Sequence, residues 1–280
     1  MSFKKRLSEI FEPCEQKRVS KSYDIVGDIA IVRTFEAKDE EARKIAEIVL
    51  QSNPHVKTVM QQTSPVAGEL RLRRLKWLAG KKKTETVHRE FDCLLRVDLE
   101  KCYFSPRLNF ERMRVAKQVK TDEAVVNMFA GVGCFSILIA KHANPSKVYS
   151  VDVNPDAVKF MKENIDLNRV RYIVEAVEGD AKNVIAEKLR NAVDRVLMPL
   201  PEKAFEYLDV AVAALRPTGG TIHYYDFSYA KKGVDPVGEV ERRVSDKLRE
   251  ANVAFECVFG RVVRPVGPRW FQVVLDVNVH

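Results

Sequence analysis

Gly131 and Gly133 follow the β-branched run VVNMF (125–129), and an apolar helical pattern over 135–143 comes directly behind them. Glycine lets a backbone approach a ligand closely, and the open N–H groups of a helix start favour an anionic group. Two carboxylates recur at equivalent places downstream. Asp152 lies near the end of a second apolar run, 147–153, and Asp180 comes directly after a third, 172–179. Asp152 stands where a nucleotide-binding α/β unit accepts hydrogen bonds from ribose hydroxyls. Asp180 could accept from an adenine amine, a geometry that a nicotinamide dinucleotide site does not need. A fourth run, 194–200, ends in MPLP, where Pro199 and Pro201 have no N–H to offer and so halt the strand and stiffen the loop. The glycine pattern lacks its third glycine, since Ser136 stands there, and by itself fits a tight turn as well as a cofactor loop. The repeated strand ends decide for the cofactor, and S-adenosylmethionine is preferred to NAD.

A second candidate lies in FSPRLNFERMRVAKQV, 104–119. Ser105 suits an N-cap and Pro106 a first helical position, which puts Arg107 and Glu111 four apart on one helical face. The pair reads either as a surface ion pair or as chemistry. In the second case the arginine holds a carbonyl oxygen while the glutamate takes a proton, because this helix leads straight into the cofactor region.

Four strands with their special residues at the carboxyl ends place these groups along one edge of a parallel sheet. The pattern continues with a helix at 202–215, a strand at 220–227, a helix at 237–251 and strands at 255–263 and 271–279. Two closing strands without an intervening helix predict an antiparallel hairpin that ends the sheet. The expected fold is therefore α/β, a Rossmann-like class I methyltransferase arrangement over 107–280, preceded by a smaller α+β domain over 1–106. In that first domain the reading is a charged helix over the first 20 residues, two short strands around a turn in 23–35, a helix at 38–51, a strand at 55–61, and hairpins through 69–103 that turn at Gly80.

With 280 residues, 46% of them hydrophobic, the chain can bury a large core. It holds no apolar run long enough for a membrane span and its amino terminus is charged, so a soluble, cytoplasmic protein with no membrane partner is expected. The five cysteines form no CxxC pair and the five histidines show no ligand spacing, so no metal is expected and Cys134 reads as a small space-filling residue in the glycine loop. The net charge of +8 is uneven: residues 1–120 hold 26 Lys+Arg against 17 Asp+Glu, and residues 121–280 hold 21 against 22. Arg71, Arg73, Arg74, Lys76, Lys81, Lys82 and Lys83 crowd around Trp77 with no acid between them. The run is either a solvated hairpin or a set of phosphate contacts, and it points to a nucleic-acid partner.

Together these residues resemble the archaeal and eukaryotic tRNA (guanine-37) nitrogen-1 methyltransferases and their wybutosine-synthesis relatives, from about Tyr23 to the carboxyl terminus. The motifs are FSPRL with ER, MFAGVG, DVNP and the HYY of residues 223–225. The resemblance implies an S-adenosylmethionine-dependent enzyme that acts on the base 3′ to the anticodon of tRNA, with the anticodon stem-loop as partner; a monomer is expected. It assigns Arg107 to the exocyclic oxygen, Glu111 to the proton as general base, and Arg71, among Arg71, Arg73 and Arg74, to the active site. It matches Tyr103, Asn127, Phe129, Gly131, Gly133, Asp152, Val153, Asn154, Asp180, Pro199 and Pro201 to the cofactor side. The electrophile is a sulfonium methyl group, so this chemistry needs no metal.

The chain departs from the family pattern at Asn127, where aspartate is usual, and at Pro199, which turns the usual NLP into PLP. It is also expected to lack the family's separate small domain that inspects the tRNA elbow. Pro199 favours an alternative, methylation of a tricyclic wyosine precursor at the same position. A relative that transfers the aminocarboxypropyl group is disfavoured by the retained FSPR arginine and DxNP aspartate. A tRNA-binding protein with a degenerate cofactor pocket is the non-enzymatic reading.

Overall fold

In the computed structural model the structure describes residues 3–12, 22–33 and 38–280. The chain forms two compact units, Met1–Asn109 and Phe110–His280.

The first unit is built on α1 (Phe3–Ile10), β1 (Tyr23–Val26), β2 (Ile29–Val32), α2 (Asp39–Ser52), β3 (Thr58–Gln62) and β4 (Leu75–Gly80). The four strands form one sheet in chain order, with β2 and β3 parallel and the other pairs antiparallel. A parallel pair needs a crossover, and α2 supplies it. Its first turn carries Asp39, Glu40 and Glu41, acids that complement the helix dipole, and Glu41 Oε2 accepts from the Lys38 amide at 2.7 Å. Its apolar face, Ala42, Ile45, Ala46 and Val49, is buried with Leu7, Phe11, Val32, Val59 and Leu78. Strands β5 (Glu85–Glu90) and β6 (Cys93–Asp98) form a separate hairpin.

Three expectations change here. The turn at Gly80 does not make a hairpin of its flanking strands, because β4 pairs with β3 and β5 with β6. The amino-terminal helix spans Phe3–Ile10, and the rest of the expected 20-residue helix, with Cys14, lies mostly outside the described residues, as do residues 34 and 35 of the second short strand. The segment after Ser105 opens as a 3₁₀ turn, Pro106–Leu108, without a side-chain capping bond from Ser105, and becomes α3 only at Asn109–Ala116.

The second unit contains β7 (Ala124–Asn127), α4 (Cys134–His142), β8 (Lys147–Asp152), α5 (Pro155–Leu167), β9 (Val174–Glu178), α6 (Ala181–Val184), β10 (Arg195–Met198), α7 (Pro201–Ala204), α8 (Leu208–Ala214), β11 (Gly220–Tyr229), α9 (Pro236–Glu250), β12 (Phe255–Gly267) and β13 (Trp270–Val279). Its seven-stranded sheet runs β12-β13-β11-β10-β7-β8-β9. Strands β7 to β11 are parallel, and β13 enters antiparallel between β11 and β12. This is the Rossmann-like α/β sheet with an antiparallel closing hairpin. Val126, Met128, Val196, Met198, Ile222 and Tyr224 join Leu208, Ala211, Val240, Val244 and Leu248 in one buried cluster. The helices α4 and α5 bury Ile137, Leu138, Ile139, Val158 and Met161.

The expected helix at 202–215 is two helices, α7 and α8, that break before Leu208. At the break Tyr207 takes φ −95 and ψ 7. Its ring meets Phe129 edge-on at 5.3 Å between centroids, so a tertiary contact overrides a continuous local pattern.

Candidate active site

The strand order brings the carboxyl ends of β7, β8, β9 and β10 to one edge of the second unit, and the cofactor-side candidates of that unit lie there. Gly131 and Gly133 have φ of 56° and 90°, values in the left-handed region that glycine adopts without strain. A Cβ on Gly133 would stand 3.0 Å from Met161 Cγ. Gly133 is also the N-cap of α4, whose opening amides therefore point along this loop.

Asp152, at the end of β8, holds this loop from the next strand. Its Oδ2 accepts from the Gly131 amide at 2.6 Å and its Oδ1 from the Asn154 amide at 2.9 Å. Burial raises its pKa above the ordinary aspartate value, against the pull of those amide donors. Asn154 in turn caps α5, accepting from the Asp156 amide at 3.0 Å ahead of Pro155 in the first helical position. Val153 between them is 43% exposed, so a neighbour lying over this turn would meet an apolar surface.

Asp180 caps α6 through the Lys182 amide at 2.7 Å and accepts from the Tyr207 hydroxyl at 2.8 Å. Phe129, Tyr207 and Asp180 thus form one wall across the ends of β7 and β9. Tyr207 was not among the sequence candidates, because nothing local marks the helix break that presents it. Pro199 follows β10 directly and Pro201 opens α7, so the loop between strand and helix lacks two amide donors.

Asn127 ends β7 fully buried. Its Nδ2 donates to Ser136 Oγ at 3.3 Å, and its Oδ1 has no hydrogen-bond partner among the described residues. A buried, unsatisfied acceptor beneath a glycine loop, together with the Gly133 cradle and the Phe129, Tyr207 and Asp180 wall, fits a nucleoside cofactor that carries a cationic or N–H-bearing group.

Glu111, on α3, is 2% exposed, and its carboxylate is bonded on both oxygens. Its Oε1 accepts from Arg114 Nη2 at 2.7 Å and from the Tyr225 hydroxyl at 2.8 Å. Arg114 Nε lies 3.1 Å from both oxygens, and Arg261 Nη2 donates to Oε2. Burial alone would raise the pKa of Glu111, but the bonds from Arg114, Arg261 and Tyr225 outweigh it and hold the carboxyl below its usual value. Behind Arg114 sits Asp276, which receives Nη1 at 2.5 Å and also accepts from His223 Nδ1 at 2.6 Å. Arg195 Nη1 lies 2.8 Å from His223 Nε2, and since arginine only donates, the ring proton is on Nδ1 and goes to Asp276.

Of these partners Arg114 was legible in principle, being three residues from Glu111. Arg261 and Asp276 come from the closing hairpin, which carries no local signal of chemistry. Tyr225 belongs to the HYY motif.

The remaining candidates lie in the first unit. The Arg71 guanidinium stacks over the Tyr103 ring at 4.3 Å, with φ of 54° at Arg71. Arg73 Nη2 donates to the Phe104 carbonyl at 3.4 Å. Arg107 Nε donates to Asp24 Oδ1 at 2.7 Å, and Asp24 is also held by Arg33 at 2.7 Å. Of the two readings of Arg107 and Glu111, the surface ion pair does not form: Arg107 pairs with Asp24, and the expected helix opens as a 3₁₀ turn over Pro106–Leu108. The basic run around Trp77 is largely solvated: Arg74, Lys76, Lys81 and Lys82 are exposed, Lys76 pairing with the exposed Asp39 at 2.7 Å, and the half-buried Lys83 pairs with Asp28 at 2.7 Å.

Residues 86–254 match the model of the TRM5/TYW2 methyltransferase domain, and residues 3–84 match the TYW2 N-terminal domain. The tRNA (guanine(37)-N(1))-methyltransferase Trm5b of Pyrococcus abyssi is 40% identical over 258 residues, covering 92% of this chain and 74% of that protein. The tRNA 4-demethylwyosine(37)-methyltransferase Taw21 of Saccharolobus solfataricus is 40% identical over 267 residues, covering 95% and 97%. Among solved structures, the complex of aTrm5 with tRNALeu superposes with a TM-score of 0.86 at 33% identity, covering all of this chain and 78% of that one.

Proposed function

The chain belongs to the TRM5/TYW2 methyltransferase family, and from that premise we propose that it methylates nitrogen-1 of guanosine at tRNA position 37, with S-adenosylmethionine as donor. The observation that carries the reading is Glu111, a buried carboxylate held ionised by two arginines and a tyrosine. S-adenosylmethionine supplies the electrophilic methyl group on its sulfonium. Gly131, Gly133, Asn127, Phe129, Asp152, Val153, Asn154 and Asp180, with Tyr207, hold it at the strand ends, and Tyr103, Pro199 and Pro201 belong to the same set.

Glu111 accepts the ring proton of the purine. A carboxylate of low pKa suffices, because positive charge develops on the ring as the new bond forms and makes that proton strongly acidic. Arg107, fixed to Asp24 through Nε, keeps its two terminal nitrogens as planar donors for the exocyclic oxygen. Arg71, stacked on Tyr103, supplies a further cation. The exposed Arg74, Lys81 and Lys82 of the first unit meet the phosphates of the anticodon stem-loop.

A second reading, methylation of 4-demethylwyosine at the same position, is favoured by Pro199 and by the coverage of 97% of Taw21. Labelled-methyl transfer to tRNA with guanosine or 4-demethylwyosine at position 37 separates them. Transfer to guanosine supports the first reading, transfer to the tricycle alone supports the second, and transfer to neither rejects both.

A further inference from the structure

In the second unit the parallel pairing of β10 with β11 ends at Met198 and Tyr224, yet β11 and β13 stay paired to Tyr229 and Trp270. Five further residues at about 3.3 Å each raise this ribbon roughly 16 Å beyond the sheet edge that carries the cofactor-side candidates. Most of that extension is buried, Tyr225, Asp226, Ser228, Gln272 and Val273 among it, and only its tip is exposed: Tyr229 at 47%, Trp270 at 45% and Val266 at 44%.

The tip has a defined composition. Tyr229 and Trp270 pack ring against ring, 5.5 Å between centroids at 58°. The Ala230 amide donates to the Arg269 carbonyl at 3.0 Å, which brings the exposed Lys231 and Lys232 beside the exposed Arg269. The two segments that build the tip, 229–234 and 265–270, hold three cations, Lys231, Lys232 and Arg269, and no Asp or Glu. At the inner end of the same ribbon Arg261 bonds Glu111. Exposed aromatic faces flanked by unopposed cations match unstacked nucleotides: bases stack on the rings and phosphates meet the charges.

We propose that the tip of the β11–β13 ribbon, Tyr229 and Trp270 with Lys231, Lys232 and Arg269, is a second RNA-contact site, where an unstacked loop nucleotide flanking the methylated purine stacks on Trp270. The inference rests on the reading of tRNA as substrate and adds a surface on the catalytic unit itself.

The chain has two tryptophans, Trp77 and Trp270, so in a Trp77→Phe background Trp270 reports alone. Titration with an anticodon stem-loop RNA in the presence of S-adenosylhomocysteine should quench its emission. In filter binding, Trp270→Ala should raise Kd on the order of tenfold, with Trp270→Phe restoring most of the loss. Lys231→Glu/Lys232→Glu, a pair of exposed changes, should raise Kd and flatten its salt dependence while leaving calorimetric binding of S-adenosylmethionine unchanged. Silent Trp270 emission at saturating RNA, with wild-type Kd in the Lys231→Glu/Lys232→Glu protein, overturns the tip site alone. Failure of the wild type to bind the stem-loop overturns the substrate reading and the tip site with it.

Discussion

Arg114 grips Asp276 with both terminal nitrogens, at 2.5 and 3.0 Å, while its Nε and Nη2 face Glu111, so one guanidinium ties the carboxylate of α3 to the last strand of the sheet. The ion pair spans 162 residues of sequence. Phe259 covers the same guanidinium, 4.8 Å from its ring centroid. The closing hairpin therefore does more than finish the sheet: it fixes the orientation and charge of the residue assigned to the proton.

If Glu111 takes that proton, Glu111→Gln keeps the shape and loses the base. S-adenosylmethionine and tRNA should bind with near wild-type affinity, and single-turnover methyl transfer should slow by roughly a hundredfold or more. Quench-flow under saturating conditions measures it. An unchanged rate would reject the role.

The two arginines on Glu111 differ in burial, with side chains 17% and 39% exposed for Arg114 and Arg261. Removing Arg114 strands both Glu111 and Asp276, so Arg114→Met should cost about 3 kcal/mol or more in urea unfolding. Arg261→Met should cost about 1 kcal/mol or less, since solvent screens that contact. Equal losses would mean that Arg261 is as integral to the fold as Arg114.

His223 is buried, and desolvation lowers its pKa below the ordinary 6.5 despite the bond to Asp276. The unfolded chain takes up a proton below that value and the folded chain does not. Stability therefore falls as pH drops from about 6.5, by up to about 1.4 kcal/mol per pH unit. In His223→Gln that slope should vanish between about pH 6.5 and 5. Glu111 and Asp276, whose folded pKa values are depressed, contribute stability above their unfolded values of 4.5 and 3.8 and lose it only as pH falls further. Parallel pH profiles for the two proteins would contradict this assignment.

Gly133→Ala places a Cβ at φ 90°, 3.0 Å from Met161 Cγ. The backbone strain should cost about 1 to 3 kcal/mol, and calorimetry should show weaker S-adenosylmethionine binding because the loop shifts. A variant with wild-type Tm and Kd would show that this loop tolerates a side chain.

Lys83 is engaged by Asp28, whose pKa it lowers against the opposing effect of burial, and Lys81 and Lys82 are exposed. Lys81→Glu/Lys82→Glu should weaken tRNA binding and reduce the slope of log K against log salt by about two. Lys83→Glu should instead lower the stability of the first unit and leave that slope nearly unchanged. The opposite pattern would relocate the phosphate contact to Lys83.

The strand and helix alternation of the second unit, the glycine loop and the acids at strand ends were legible in the sequence because each rests on local physics. Hydrophobic period sets which face is buried, and a glycine sets where φ turns positive. Arg107 and Glu111 were legible as residue types at a meaningful spacing, and Asp152 and Asp180 as carboxylates at strand ends. The partners were not. A 3₁₀ turn put Arg107 onto Asp24, and the run around Trp77 divided among Asp39, Asp28 and solvent, because charges pair with whatever the packed elements bring within reach.

What the sequence by itself determined is the class of fold and the inventory of groups at one sheet edge. Only the tertiary structure decided that Glu111 is stripped of water yet kept ionised. Its donors come from Arg114, Tyr225 and Arg261, and they converge because β13 enters between β11 and β12. Desolvation and ion pairing depend on distances across the assembled sheet, and no local period encodes them.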